Sequence, residues 1–95
     1  GAKDLFKFYF NLKKYQPKRS ASEIAAVFVT EYYDLEPIAA KGAWFVIGSD
    51  VFGPMGRELI PFKTKDAAAG FLKDHGGLQV LEFEQVTPAV IEKLD

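Results

Sequence analysis

Two side chains in this 95-residue sequence offer a lone pair suited to a soft or borderline metal, the single methionine, Met55, and the single histidine, His75. Met55 stands in Val51-Phe52-Gly53-Pro54-Met55-Gly56, a glycine- and proline-punctuated stretch in which the flanking glycines offer little steric cover. A thioether is a neutral, soft ligand that selects Cu(I) over hard cations. A lone methionine is also common as filler in irregular core gaps, so residue type alone leaves both roles open. His75 precedes Gly76-Gly77 at an expected helix end, where a cation or a hydrogen bond to a terminal carbonyl is favoured. Packing at the helix end is its plainer role, and a ligand or acid/base role the sharper one.

Other chemistries find little support. The chain has no cysteine, which removes a disulfide framework, a thiol nucleophile and any thiolate metal site built from these residues alone. No Ser-His-Asp spacing is visible. Gly53-Pro54-Met55-Gly56 has proline where a phosphate loop needs a backbone donor, and no Gly-Lys-Ser follows. Twelve Lys and Arg against 13 Asp and Glu give a net charge of −1, which argues against nucleic acid as a partner. The basic run Lys13, Lys14, Lys18, Arg19 reads as a solvated face. No apolar run approaches the roughly 20 residues of a membrane-spanning helix. With 48% hydrophobic and 15% aromatic residues the chain can bury a core of its own, though a modest one. The opening Gly1-Ala2-Lys3-Asp4 suggests a trimmed or mature fragment.

The elements that must position Met55 and His75 follow from periodicity. Asp4 to Tyr15 predicts a helix capped by Asp4, with Leu5, Phe8, Tyr9 and Leu12 on one face and Phe6 and Phe10 on the next stripe. Gln16 to Ser20 reads as a basic turn, with Ser20 or Ser22 capping a short helical turn. Ala25 to Tyr33 reads as a strand, Asp34 to Gly42 as a loop, and Ala43 to Gly48 as a second strand. Glu58 to Phe62 predicts a third strand, at a sheet edge because Pro61 has no N–H to donate. Thr64 should cap a helix over Lys65 to Asp74 with Ala68, Phe71 and Leu72 inward, ended by a left-handed glycine at Gly76-Gly77. Leu78 to Phe83 predicts a fourth strand, and Thr87-Pro88 opens a last helix. Trp44 to Phe83 is thus a ββαβ unit, and helix followed by strand from Asp4 to Tyr33 suggests an internal duplication whose first copy lacks its opening hairpin.

The run Trp44-Phe45-Val46-Ile47-Gly48-Ser49-Asp50-Val51-Phe52-Gly53-Pro54-Met55-Gly56-Arg57-Glu58-Leu59-Ile60-Pro61-Phe62, with Phe71-Leu72-Lys73-Asp74-His75-Gly76-Gly77, resembles the NosL family. These are copper-binding accessory lipoproteins of nitrous oxide reductase maturation. The resemblance extends upstream through Val27 to Tyr33 and Leu5 to Tyr9, and so covers nearly the whole chain.

The resemblance implies an α+β fold of two ββαβ-type units, similar to the amino-terminal part of the organomercurial lyases. Residues 1–38 would be the helix-strand end of the first unit, truncated at its start, and residues 39–95 the second unit with a carboxy-terminal helix. The family's Cys-Gly-Met-type element would fall in the stretch this chain lacks. Only Met55 can then be carried over as a ligand, with His75 a weak candidate and further donors outside the chain. The implied cargo is Cu(I), bound feebly or not at all by these residues alone. The implied role is a metallochaperone, not an enzyme, since lyase chemistry would need thiols. The alternative is a metal-free periplasmic docking domain using Phe52, Pro54 and Met55. Either reading places the parent protein in the periplasm on a lipid anchor, with the reductase assembly machinery as partner. Without the first hairpin the faces of Phe6, Phe8 and Phe10 would lie open, which suggests pairing or element exchange with a second copy through residues 4–15.

Overall fold

The computed structural model describes residues 2–48, 52–53, 56–77 and 79–94, the side chains of 52, 53, 56 and 57 excepted. The fold is α+β. Helices α1 (Ala2–Tyr15) and α2 (Pro17–Ile24) come first, then a hairpin of β1 (Phe28–Thr30) and β2 (Pro37–Ala39). There follow β3 (Trp44–Ile47), β4 (Phe52–Gly53), β5 (Gly56–Arg57), β6 (Ile60–Phe62), α3 (Lys65–His75), β7 (Gln79–Glu82) and α4 (Pro88–Leu94).

Strand β3 is the centre of the molecule. It pairs antiparallel with β6 on one side, Phe45 opposite Pro61, and with β7 on the other, Phe45 opposite Leu81. β6 therefore lies at a sheet edge, as Pro61 predicts. Because both neighbours run antiparallel to β3, they run parallel to each other, and α3 makes the crossover between them against one sheet face. Alternation along β3 sends adjacent residues into different cores. Phe45 joins Phe6, Ile24, Val29, Phe83 and Ile91, while Val46 joins Ile60, Phe62, Ala68 and Phe71.

Four expectations are corrected. Helix α1 includes Ala2, so Asp4 lies in its first turn and complements the helix dipole instead of capping. Residues 17–20 are helical: Pro17 sits at the first helical position, where its fixed φ is preorganised, and the Ser20 hydroxyl donates to the Pro17 carbonyl at 2.7 Å. Strand β1 is three residues long, not nine, because Glu31 folds the chain into a turn directly after it. Part of the supposed loop from Asp34 to Gly42 is then β2, Thr30 opposite Pro37, with proline at the strand start where no donor is missed.

The expected opening of the α1 faces holds for Phe8 and is corrected for Phe6 and Phe10. Phe6 is fully buried, its ring 5.2 Å from those of Phe45 and Phe83, and Phe10 is half-buried. Packing by α2 and α4 shifts the inward stripe from Leu5–Phe8 to Ala2–Phe6 and leaves Phe8 outside.

Candidate functional site

Strands β4 and β5 pair antiparallel, Phe52 opposite Arg57 and Gly53 opposite Gly56. Pro54 and Met55 stand between them in the chain and lie outside the described residues, as do the side chains of Phe52 and Arg57. The metal and docking expectations for Phe52, Pro54 and Met55 therefore fall outside what the structure describes. What it does describe is how the hairpin is held at both ends.

On the entry side, β3 is followed by Gly48, whose φ of 75° is a left-handed conformation that costs glycine no Cβ clash. Directly upstream, Gly77 approaches the same strand end. A Cβ there would come within 2.7 Å of Leu72 Cδ1, 3.1 Å of Val46 Cγ1 and 3.3 Å of the Ile47 carbonyl oxygen, so only glycine fits without a shift.

On the exit side, Leu59 and Ile60 are buried and anchor β6. Its outer edge is then strapped by the turn that follows β1. The Tyr32 amide donates to the Pro61 carbonyl at 3.0 Å. The Glu31 carboxylate, 2% exposed, accepts the Tyr33 amide at 2.6 Å and the Asp34 amide at 3.4 Å on one oxygen, and the Lys63 amide at 3.4 Å on the other. Lys63 Nζ donates to Asp34 Oδ2 at 2.7 Å. That contact holds the Asp34 carboxyl below the usual carboxylate range and the Lys63 ammonium above the usual lysine range. The pair's contribution is present between the ordinary values of the two groups, 3.8 and 10.5, and fades as pH falls through the lowered Asp34 value or rises through the raised Lys63 value. Both groups are solvent-exposed, so the contribution is small.

Sequence reasoning missed Glu31 because it sat inside an apparent strand. The available signal was a carboxylate followed by Tyr32-Tyr33-Asp34, since an acceptor two or three residues before free amides favours a local turn.

His75 lies at the end of α3 with its ring stacked on Phe71 at 4.3 Å and 23°. Phe71 is in turn packed against Tyr32, Tyr33 and Phe62. The imidazole is thus one member of an aromatic stack that continues into the strap. Among the described residues no group of three or more His, Asp or Glu side chains could hold a metal ion. An open groove of about 350 Å³ runs between the start of α1, β1 and β6, lined by Leu5, Phe28, Val29, Leu59 and Ile60, with Glu58 at its rim.

The NosL family model matches residues 1–91 of this chain. The copper-binding lipoprotein NosL of Achromobacter cycloclastes is 44% identical over 55 residues, a match spanning 57% of this chain and 28% of that protein. The crystal structure of the copper chaperone NosL from Shewanella denitrificans superimposes with a TM-score of 0.57 at 31% identity, over 65% of this chain and 52% of that one. The chain therefore spans about half the length of its solved relative, and the curated match covers under a third of that relative.

Proposed function

This chain belongs to the NosL family, and from that we propose that it forms part of a Cu(I) carrier serving assembly of the copper centres of nitrous oxide reductase. The family match across residues 1–91 is the observation that carries this reading. The two relatives are named a copper-binding lipoprotein and a copper chaperone, which supports copper as cargo and a lipid-anchored, periplasmic parent protein.

In this reading Met55 is the donor this chain contributes. A thioether needs no deprotonation to bind Cu(I), so the ion can pass to a partner's sulfur by ligand exchange without moving a proton or an electron. The copper stays Cu(I) throughout. The process is transfer, not catalysis. One thioether is a partial site, because tight Cu(I) binding takes about two or three soft ligands. The further donors come from outside these residues. His75 is the weaker candidate donor; its ring stacks on Phe71 by a face, which leaves the nitrogen lone pairs in the ring plane.

A competition titration against a Cu(I) chelator tests this directly. The chain should bind feebly, Met55→Ala should remove most of what binding there is, and His75→Ala should lower it far less. Tight one-to-one binding that survives Met55→Ala would refute the donor assignment. A second reading, protein docking without metal, is favoured by the apolar groove between β1 and β6. Complete indifference of the chain to Cu(I), with or without Met55, would favour it.

A further inference from the structure

The first third of the chain differs electrostatically from the rest. Residues 1–30 hold six of the 12 Lys and Arg but two of the 13 Asp and Glu, a side-chain charge of +4, leaving −5 for residues 31–95. These cations sit on α1 and α2, which pack side by side. The inward faces hold Ala2, Phe6 and Leu12 from α1 with Ser20 and Ile24 from α2. Exposed on the two helices are Lys13, Lys14, Lys18 and Arg19 with Asp4, and Arg19 is ion-paired with Glu23 at 2.7 Å.

Two large aromatics share that surface. Phe8 is 54% exposed and Tyr15 is 68% exposed. Seven residues apart, they lie on one line along α1, roughly 10 Å from each other. Lys14 Nζ stands 5.3 Å from the Tyr15 ring centroid. The crease beside Phe8, between α1 and α2, holds only about 10 Å³. Beside Phe8 the helical ridge is therefore closed, and an open groove borders it only on the α4 flank, next to Lys14.

We infer that this ridge rests on an anionic lipid surface. Isolated aromatic rings suit the headgroup boundary, where an apolar body can sink while Tyr keeps its hydroxyl wet. Lysines beside them bury their stems and keep the ammonium at the phosphate level. Charge complementarity with anionic headgroups selects this occupant. A protein partner would anchor its hot-spot side chains in a formed pocket; the crease beside Phe8 is too small for one, and the open groove of about 450 Å³ that includes Lys14 lies on the other flank, between α1 and α4. The contact is direct, distinct from a covalent lipid, and independent of copper carriage.

Co-sedimentation with vesicles decides it. The chain should bind phosphatidylglycerol-containing vesicles and not pure phosphatidylcholine ones, with affinity falling roughly tenfold from low to physiological salt. Lys14→Glu with Lys18→Glu should abolish binding, and Phe8→Ser with Tyr15→Ser should weaken it several-fold. All four positions are exposed, so the helical circular dichroism should persist. Equal partition into both vesicle types, no binding at low salt, or full binding by the charge-reversed variant would each overturn the inference. So would salt-sensitive self-association without vesicles that the same variant removes, because the ridge would then meet the acidic part of a second copy.

Discussion

Glu31 is the one buried acid among the described residues, and its environment explains how that is sustained. A carboxylate removed from water is stable only if hydrogen bonds replace the hydration it loses. Here backbone amides of Tyr33, Asp34 and Lys63 do so, the 2.6 Å contact to Tyr33 being the strongest. Because Tyr33 and Lys63 lie on separate elements, the same carboxylate that shapes a local turn also ties it to β6. Glu31→Ala should lower unfolding free energy by about 2–3 kcal/mol, since it takes the shared acceptor from three backbone amides at once. Glu31→Gln keeps one oxygen acceptor but turns an N–H₂ toward a donor, so it should cost about half as much. Chemical denaturation measures both. A loss within about 0.5 kcal/mol for the alanine variant would mean that water takes over the amides and that the strap is incidental.

At the scale of elements, helix α3 shows why some of the fold was legible and some was not. Its start and stop are written in local chemistry: Thr64 Oγ1 accepts the Ala67 amide at 3.1 Å, and Gly76 takes φ 65° at the end. Such signals act within a few residues, so reading the sequence recovers them. The run Ala25 to Tyr33 failed because its strand propensity was overruled by Glu31, whose third partner, Lys63, is 32 positions away. Likewise periodicity separates Phe8 from Phe6 by face but does not say which face is covered. Phe45 and Phe83, with the helices packed around them, decide that Phe6 is the buried ring. Of the site itself, Met55 was legible as a residue type, whereas the supports at Gly48, Gly77 and Glu31 are three-dimensional facts. Gly76 and Gly77 make the distinction measurable. At Gly76 a Cβ meets open space but a left-handed backbone, so Gly76→Ala should cost about 1 kcal/mol and Gly76→Asn less. At Gly77 the backbone is ordinary but Leu72, Val46 and the Ile47 carbonyl stand in the way, so Gly77→Ala should cost about 1–3 kcal/mol. Thermal melts that rank Gly76→Ala as the more damaging would show that Leu72 and β3 yield easily.

At the scale of the molecule, the described residues form two cores divided by one strand. Phe45 and Val46 are adjacent on β3, both fully buried, and face opposite ways. Neither core can lose β3 while the other keeps it, and the Glu31 strap joins them again at the β6 edge. Local damage in one core should therefore be felt in the other, as in a cooperative single domain. The sole tryptophan makes this testable, because Trp44 packs against the Phe62–Phe71 core under Lys65, whose Nζ lies 5.8 Å from its ring, whereas Ile24 belongs to the core on the other side. Ile24→Val removes one methylene from a buried site, a cost of about 1 kcal/mol. In a domain of this size that lowers the melting midpoint by about 4–8 °C. Circular dichroism, dominated by the helices, and Trp44 fluorescence should fall by the same amount. If circular dichroism moves and Trp44 holds its original midpoint, the cores melt independently, and β3 serves as a boundary between two folding units instead of the member they share.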